Sequence, residues 1–160
     1  MAITNDEFKA ALGRFASGVT VVTTKDSDGK FHGLTVSAFS SVSMNPPLVL
    51  VCIHKNTGSY QSFLECKAFV VNILAESQKQ LSNHFASHSA DKFSNQKYEL
   101  SDDGLPILAD CLANMECKLK HSYDGGDHTI FVGEINVAIV KAEKPLIYWL
   151  GNYRTLEVDS

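Results

Sequence analysis

Hydrophobic residues near the start of the chain recur at helical spacing. Phe8 and Leu12 lie four residues apart, so they share one face of an amphipathic helix. Thr4 stands three residues before Glu7, the spacing of a capping box in which each side chain bonds the other residue's backbone N–H. The pattern predicts a short helix that begins after Thr4 and is ended by Gly18.

Two runs of β-branched and apolar residues predict the next elements. Val19–Thr24 is β-branched throughout, Asp26–Gly29 is typical of a turn, and Phe31–Ala38 resumes a strand-like pattern, so a hairpin is expected. Proline cannot donate to a β-ladder, so the chain should leave the sheet at Pro46-Pro47. Leu48–Ile53 is continuously apolar, which predicts a strand covered on both faces.

The remainder of the chain mixes short helical patterns with strands. Ser59–Leu64 predicts a brief helix, and Ser77–Gln80 repeats the capping-box spacing at the start of a helix that ends near Ala86. Alternating or β-branched segments predict the later strands, which are Phe69–Leu74, Met115–Leu119, Thr129–Val140 and Leu146–Leu150.

These elements amount to about seven strands and a few short helices, without the strand–helix alternation of a parallel sheet. The best physical fit is an antiparallel barrel, because closure removes exposed sheet edges. Residues Ser87–Pro106 are polar and carry no clear period, so they predict a long loop. Loops of that length are usually functional or disordered, and both a lid and a dimer contact are open.

Composition places the chain among ordinary globular proteins. It has 160 residues, 44% hydrophobic and 20% charged, which fits a single domain over 1–160. The net charge of −4 excludes a broad electrostatic footprint for nucleic acid. The longest apolar run, Leu48–Ile53, is far below the roughly 18 residues of a membrane span. Met1–Glu7 has neither the basic nor the apolar part of a secretory signal, so none is expected.

The cysteines point to a reducing compartment. No two of the four form a C-x-x-C pair, so they are expected to be small buried hydrophobes in the cytoplasm, without disulfides. His84 and His88 are four residues apart and could face one way as metal ligands, but no third ligand has convincing spacing. A solvated helix end explains this pair better, and no metal site is predicted.

The sequence motifs of three common protein classes are absent. The sequence contains no G-x-x-x-x-G-K-[ST], no G-x-G-x-x-G and no G-x-S-x-G. A P-loop hydrolase, a Rossmann dinucleotide domain and a nucleophile-elbow hydrolase are therefore unsupported.

The most informative segment is Gly33–Tyr60, which reads GLTVSAFSSVSMNPPLVLVCIHKNTGSY. Its first part crowds small hydroxyl side chains into nine residues, and small side chains let a ligand approach the backbone. One interpretation is a serine-rich edge strand and turn. The other is a cradle for a planar, hydrogen-bonding ligand that carries a phosphate. His54–Ser59 ends a strand and leads into a helix, where free backbone N–H groups favour a bound anion. Lys55 adds a positive charge there.

At these residues the chain resembles a known family. Gly33–Pro47 looks like the signature of the short-chain NAD(P)H:flavin oxidoreductases, the flavin reductase family, and the similarity extends from about Phe8 to Tyr153. Further segments agree in the family's order, namely Gly18–Thr23, Phe69–Leu74, Phe85-Ala86, Lys92-Phe93, Gly126-Asp127-His128, Gly133-Glu134 and Pro145–Tyr153.

The resemblance implies a mainly β fold, the FMN-binding split β-barrel, which is antiparallel and Greek-key-like with a few short flanking helices. It implies an NAD(P)H-dependent flavin reductase that transfers hydride from NADH or NADPH to FMN or FAD. Such proteins are commonly homodimers and often deliver reduced flavin to a separate monooxygenase. Hydride transfer is chemistry of the cofactors, which suits a sequence without a catalytic triad or metal site.

The resemblance also implies a set of flavin-binding residues. The edge of the isoalloxazine is expected against Thr35, Val36, Ser37 and Ala38. The ribityl chain and phosphate are expected at Ser40, Ser41, Lys55 and Ser59, flanked by Cys52, Ile53 and His54. Backbone N–H groups near Ser37 and Ala38 would stabilise negative charge on the ring.

His128 is expected beside the nicotinamide, as the catalytic residue. Without the resemblance, a histidine after Gly125-Gly126-Asp127 would be a turn residue with no task. Tyr148, Tyr153 and Arg154 are weaker candidates for the same site, and Phe85 is either a stacking group or a core residue. Two rival functions stay open: an electron-carrying flavoprotein of the same fold without reductase activity, and a small barrel that binds an unrelated ligand.

Overall fold

A computed structural model describes residues 2–157. The first helix, α1, covers Asn5–Leu12, and the predicted capping box is confirmed: Glu7 N donates to Thr4 Oγ1 at 3.2 Å, and Thr4 N donates to Glu7 Oε2 at 2.9 Å. The predicted end at Gly18 is wrong, because Gly13 caps the helix. No residue of α1 is buried, so its apolar side chains remain exposed.

Twelve strands and two further helices follow within the described residues, together with a 3-10 turn at Glu76–Gln78. The helices are α2, Tyr60–Glu65, and α3, Lys79–Ala86. The strands are β1 Ser17–Gly18, β2 Thr20–Lys25, β3 Phe31–Val36, β4 Phe39–Met44, β5 Pro47–His54, β6 Ala68–Ile73, β7 Tyr98–Leu100, β8 Pro106–Leu108, β9 Ala113–Gly125, β10 His128–Val140, β11 Ile147–Trp149 and β12 Asn152–Arg154.

Seven of these strands form one antiparallel sheet in the order β3-β2-β6-β9-β10-β5-β4. Its two edge strands, β3 and β4, are consecutive in the chain and are joined by Ser37-Ala38. Cys52 N of β5 donates to Ala38 O at 3.0 Å, which extends the β4–β5 pairing into the link between the two edge strands. The expected antiparallel barrel is confirmed, and β1-β11-β12 and β7-β8 form two smaller sheets beside it.

Two apolar cores hold the fold. The barrel interior packs Leu34 and Val36 of β3 against Val51 of β5, Phe69 of β6 and Phe131 of β10. The second core lies between the outside of the barrel and α3, and its buried members include Val21, Leu74, Phe85, Leu108 and Leu146. Strand β2 contributes to both cores, through Val22 to the barrel interior and through Val21 to the second core, and its residues are buried almost throughout.

A buried asparagine joins four segments of the chain. Asn72 of β6 is fully buried, and its Nδ2 donates to Val21 O at 2.9 Å and to Thr23 Oγ1 at 3.2 Å. Its Oδ1 accepts from Leu108 N at 3.0 Å and from Asn114 Nδ2 at 2.8 Å. The amide therefore ties the barrel strands β2, β6 and β9 to the short strand β8.

Some local expectations were wrong. Strand β5 is buried on alternate residues only: Val49, Val51 and Ile53 are buried, whereas the outward side chains of Leu48 and Leu50 are half-buried. Ser77 does not cap α3; instead Gln78 Oε1 accepts from Ala75 N at 2.9 Å. The chain does leave the sheet after Met44, but it re-enters at once with Pro47, the first residue of a strand, where a missing N–H is tolerated.

The segment predicted as a loop, 87–106, is partly ordered by pairing. Strands β7 and β8 form an antiparallel pair, which local sequence did not indicate. Lys92 Nζ donates to Phe85 O at 2.8 Å and to Gly33 O at 3.2 Å, which fastens the segment to α3 and β3. Its role as a lid or a dimer contact stays a prediction.

The four cysteines are free thiols, of which Cys111 and Cys117 are buried and the other two half-buried. Burial raises the pKa of Cys66 and Cys111 to about 11 and that of Cys117 to about 12, and it also raises the pKa of Cys52. The thiolate is the reactive form, so a higher pKa slows modification.

We therefore expect the native protein to react slowly with a disulfide reagent such as Ellman's reagent at about pH 8. The measurement is the release of the coloured thiolate, with protein unfolded in guanidinium as the control that exposes all four thiols. Rapid reaction of two or more thiols in the native protein would contradict the burial described here.

Within residues 2–157, no helix is long and apolar enough to cross a bilayer. In the same residues, no group of three or more histidine, cysteine, aspartate or glutamate side chains is placed to hold a metal ion. His84 Nε2 lies 2.8 Å from Lys92 O, so this ring nitrogen is engaged by the backbone of the 87–106 segment.

Candidate functional site

The link between β3 and β4 presents an accessible stretch of backbone. Thr35, near the end of β3, donates its Oγ1 hydrogen to Ser82 O of α3 at 2.6 Å. The Val36 side chain is buried in the barrel core, and Val36 O accepts from Thr20 Oγ1 at 2.6 Å. Ser37 and Ala38 then emerge at the surface with exposed, small side chains. Only the backbone of Val36 can face a ligand, whereas Ser37 and Ala38 can offer both backbone and side chain.

The serines that follow lie on an edge strand. Strand β4 pairs only with β5, so one side of its backbone has no strand partner in the described sheet. Ser40 and Ser41 are exposed, and the Ser40 hydroxyl donates to Ser41 O at 3.0 Å. The edge-strand interpretation is therefore correct, and it is compatible with the cradle interpretation because an edge leaves N–H groups and hydroxyls accessible.

A histidine pair lies where β5 ends and β10 begins. His54 and His128 are direct partners across the two antiparallel strands, so their side chains share a face. Their ring centroids are 4.9 Å apart at an interplanar angle of 79°, an edge-to-face arrangement. His128 Nδ1 lies 2.6 Å from Asp127 Oδ1, and His54 Nε2 lies 3.7 Å from Asp127 Oδ2. One carboxylate thus lies between two imidazoles.

The Lys55 side chain, which was expected to bind phosphate, already has a charged partner in the protein. Its ammonium forms an ion pair with Asp124 of β9, and its backbone N donates to Asp127 O at 2.9 Å. This pairing raises the pKa of Lys55 and lowers that of Asp124, with the hydrogen bond between them as the main cause in both. A phosphate at Lys55 would have to share the ammonium with Asp124.

The other residues expected near the phosphate differ in accessibility. Ser59 precedes α2 and is half-buried, and its side chain makes no capping bond. The next residue, Tyr60, is bonded through its hydroxyl to Thr129 Oγ1 of β10 at 2.8 Å. Cys52 is half-buried beside Ala38, whereas the Ile53 side chain points into the barrel core. Ile53 can therefore reach a surface ligand only through its backbone.

The C-terminal candidates lie on the β11–β12 hairpin, and Tyr153 is the one that contacts α3. The rings of Tyr148 and Tyr153 are 5.5 Å apart, and Arg154 lies over the Trp149 ring at 5.8 Å. The Tyr153 hydroxyl lies 2.7 Å from Ser82 Oγ. Because Ser82 also accepts the hydrogen bond of Thr35, this serine connects the C-terminal hairpin to the end of β3.

Phe85 is a core residue. Its side chain is fully buried in the second core, 5.2 Å from the Phe93 ring, so it cannot stack on a ligand at the surface. A Cβ at Gly33 would lie 2.7 Å from Phe85 Cε1, so only glycine lets β3 pack so closely on this ring. Phe85 thus supports β3 from behind and does not line the site.

The candidate residues form two groups, one connected to each end of the segment Thr35–Ala38. We call the first the histidine group; its members are Cys52, His54, Lys55, Asp124, Asp127 and His128. The second is the tyrosine group, whose members are Thr35, Ser82, Tyr148 and Tyr153. Ala38 contacts the first through Cys52, and Thr35 belongs to the second. Extended chain spans about 3.3 Å per residue, so roughly 10 Å of backbone separates Thr35 from Ala38.

Sequence reasoning missed three members of these groups. Asp127 belongs to the motif Gly126-Asp127-His128, so its place next to His128 in the sequence could have identified it as a site residue. Asp124 and Ser82 gave no such signal, because their roles come from strand register and from the packing of α3.

Comparison with known proteins gives a consistent result. Residues 12–157 match the family described as Flavin reductase like domain. A probable flavin reductase of Rhizobium meliloti is 41% identical over 91% of this chain, and the chain spans about half (47%) of that relative's length. The reductase subunit HsaB of a flavin-dependent monooxygenase from Rhodococcus jostii is 37% identical over 99% of this chain and 81% of its own length.

A solved structure agrees over its full length. The NADH:FAD oxidoreductase SgcE6 of Streptomyces globisporus, in complex with NAD and FAD fragments, has a TM-score of 0.92 and 34% identity. The alignment covers 100% of this chain and 99% of that one. Fold, motif order and sequence identity agree, and the chain belongs to the flavin reductase like domain family.

Proposed function

We propose that this protein is an NAD(P)H:flavin oxidoreductase, which transfers hydride from a reduced nicotinamide to FMN or FAD. The observation that carries the proposal is the exposed Ser37-Ala38 backbone, held between the histidine group and the tyrosine group. The names of the three relatives reported above support it, since they are a probable flavin reductase, a monooxygenase reductase subunit and an NADH:FAD oxidoreductase.

The residues present fit a flavin. Small exposed side chains at Ser37, Ala38, Ser40 and Ser41 leave the backbone open to a flat ring and to a polar chain. Thr35–Ala38 would hold the ring edge, and Ser40, Ser41, Lys55 and Ser59 would bind the ribityl and phosphate groups. When bound, the flavin supplies the hydride-accepting chemistry.

The protein's own contribution is binding and orientation. The ring of Phe85 under Gly33 and the Thr35–Ser82 hydrogen bond fix β3, so the open backbone that follows it is preorganised. His128 donates Nδ1–H to Asp127, which leaves Nε2 as an acceptor for an amide N–H such as that of the nicotinamide. His128 is thus proposed to orient the hydride donor.

Replacing His128 by alanine is expected to raise the KM for NADH more than it weakens flavin binding. One lost hydrogen bond corresponds to about 1 kcal/mol, or roughly a fivefold change in KM. Steady-state kinetics at saturating flavin, with flavin affinity from fluorescence quenching, separates the two effects. Unchanged NADH kinetics would remove His128 from the site.

We further propose that NADH is preferred over NADPH. The net charge of the chain is −4, so no overall positive field favours the 2′-phosphate of NADPH, which adds about two negative charges to the nucleotide. SgcE6 is named as an NADH enzyme, which supports the same preference. The measurement is the ratio of kcat/KM for the two nucleotides, and equal values would contradict the preference.

We also propose a homodimer that passes reduced flavin to a separate monooxygenase. Exposed apolar side chains support an interface, among them Met44 at 95% and Phe15 at 79% exposure. HsaB is named as the reductase subunit of a monooxygenase, which supports the partner class. The cytoplasmic location predicted from the cysteines stays a prediction.

The test of the proposed function is NADH oxidation with FMN, FAD and riboflavin as separate additions. A reductase that uses flavin as a diffusing substrate gives a rate that rises and saturates with added flavin. A coloured protein whose rate of NADH oxidation does not depend on added flavin would indicate a permanently bound flavin. A colourless protein without flavin affinity would favour a barrel that binds another ligand.

A further inference from the structure

The hydrogen atoms of His54 can be assigned from its neighbours. Asn56 N donates to His54 Nδ1 at 3.0 Å, so Nδ1 carries a lone pair. A neutral imidazole has one protonated nitrogen, and the hydrogen of His54 therefore lies on Nε2. Nε2 is the atom on the Asp127 side, 3.7 Å from Oδ2.

The same carboxylate holds His128. Asp127 Oδ1 accepts from His128 Nδ1 at 2.6 Å, and this bond is the main cause of the lowered pKa of Asp127. Asp127 is therefore ionised near neutral pH, and its side chain is 76% exposed. The carboxylate also accepts from the backbone N–H of Asp127 itself, and His54 lies on the side of its other oxygen.

The nearby lysine does not take this role. The Lys55 ammonium is paired with Asp124, and only its backbone N–H reaches Asp127, at the carbonyl oxygen. His54 Nε2 lies 3.7 Å from the second carboxylate oxygen of Asp127, an electrostatic contact that is longer than a hydrogen bond. The edge-to-face contact between the two rings, with centroids 4.9 Å apart, adds a packing constraint on the same pair.

We propose that His54 is a positioning residue, whose Nε2–H steadies the carboxylate of Asp127. Asp127 in turn holds the His128 ring with Nδ1–H directed at the carboxylate, so that Nε2 of His128 is directed at the nicotinamide. The inference rests on the proposed function of His128, and it adds a residue to the nucleotide side of the site. In this account His54 does not contact the flavin, and this role replaces the flavin-flanking role that the resemblance implied for it.

Two substitutions separate this role from a purely structural one. His54→Gln places an amide N–H near the position of Nε2 and loses the acceptor at Nδ1. His54→Asn places an acceptor near Nδ1, keeps the bond from Asn56 N, and loses the donor at Nε2. We expect His54→Asn to raise the KM for NADH about threefold and His54→Gln to stay within about 1.5-fold of the parent. Flavin affinity should be the same in all three proteins.

A structural role in the β5–α2 turn predicts the reverse order, with Asn tolerated and Gln impaired, and that result would overturn the proposal. Combining His54→Asn with Asp127→Asn gives a second readout. Because both act through His128, the KM of the double variant should match that of Asp127→Asn alone, and multiplied effects would contradict a shared path.

His128→Ala serves as the reference for the underlying function. If His128→Ala raises the KM for NADH and both His54 variants behave as the parent, His54 has no positioning role while the proposed function stands. If His128→Ala has no effect either, the placement of the nicotinamide at the histidine group is itself wrong.

Discussion

Replacing Ala38 by tryptophan should lower kcat/KM for flavin by about a hundredfold or more, while the protein remains folded. The Ala38 side chain is exposed, and its backbone, which accepts from Cys52 N, belongs to the segment proposed to contact the ring edge. An indole there would occupy the space above Ser37 and Ala38. Ala38 O still accepts from Cys52 N, because that bond involves only backbone atoms.

The measurement is flavin-dependent NADH oxidation together with thermal unfolding. The Tm should change by no more than about 2 °C, as is usual for a surface substitution. Ala142→Trp is the matched control, since Ala142 is an exposed alanine in the turn after β10, away from both groups. Normal activity in Ala38→Trp would place the flavin elsewhere on the molecule.

Replacing Asn72 by alanine should cause the largest loss of stability among polar-to-alanine changes in this fold, about 4 kcal/mol. The substitution leaves two buried donors, Leu108 N and Asn114 Nδ2, and one buried acceptor, Val21 O, without this partner. Each such group costs about 1–3 kcal/mol to bury unpaired. Asn114 Nδ2 keeps its bond to Leu108 O at 3.1 Å, which limits the total.

Chemical denaturation in urea measures this loss directly, and the Tm is expected to fall by about 10 °C. Asn136→Ala is the control, because Asn136 is exposed on β10 and should change stability by less than about 0.5 kcal/mol. An equal effect of the two substitutions would show that the Asn72 network does not hold β8 to the barrel.

The parts of the fold that were predictable depend on local chemistry. The capping box at Thr4 and Glu7 requires only neighbours in sequence, and β2 and β6 are dense in β-branched residues, so all three were correctly predicted. Strand β4 was one of two interpretations of its segment, and β7 and β8 were not predicted, because three residues each are too few to show an alternating pattern. Their pairing depends on the strands beside them, which local sequence does not describe.

The candidate site shows the same division. The hydroxyl-rich stretch and the Gly-Asp-His motif could be found in the sequence, since each is a run of adjacent residues. The opposition of His54 and His128 comes from the register of β5 and β10, and the Thr35–Ser82–Tyr153 connection comes from the docking of α3. Phe85 and Ile53 were candidates that packing assigns to the cores, because burial is decided by tertiary contacts.

The central claim is that this chain itself moves hydride from a nicotinamide to a flavin bound at Ser37-Ala38. Anaerobic rapid mixing of the protein and FMN with NADH follows the visible absorbance of oxidised flavin without interference from oxygen. A bleaching rate proportional to protein concentration, and lost in Ala38→Trp but kept in Ala142→Trp, is the predicted result. Flavin that stays oxidised with the parent protein, or bleaches equally fast with Ala38→Trp, would contradict the claim.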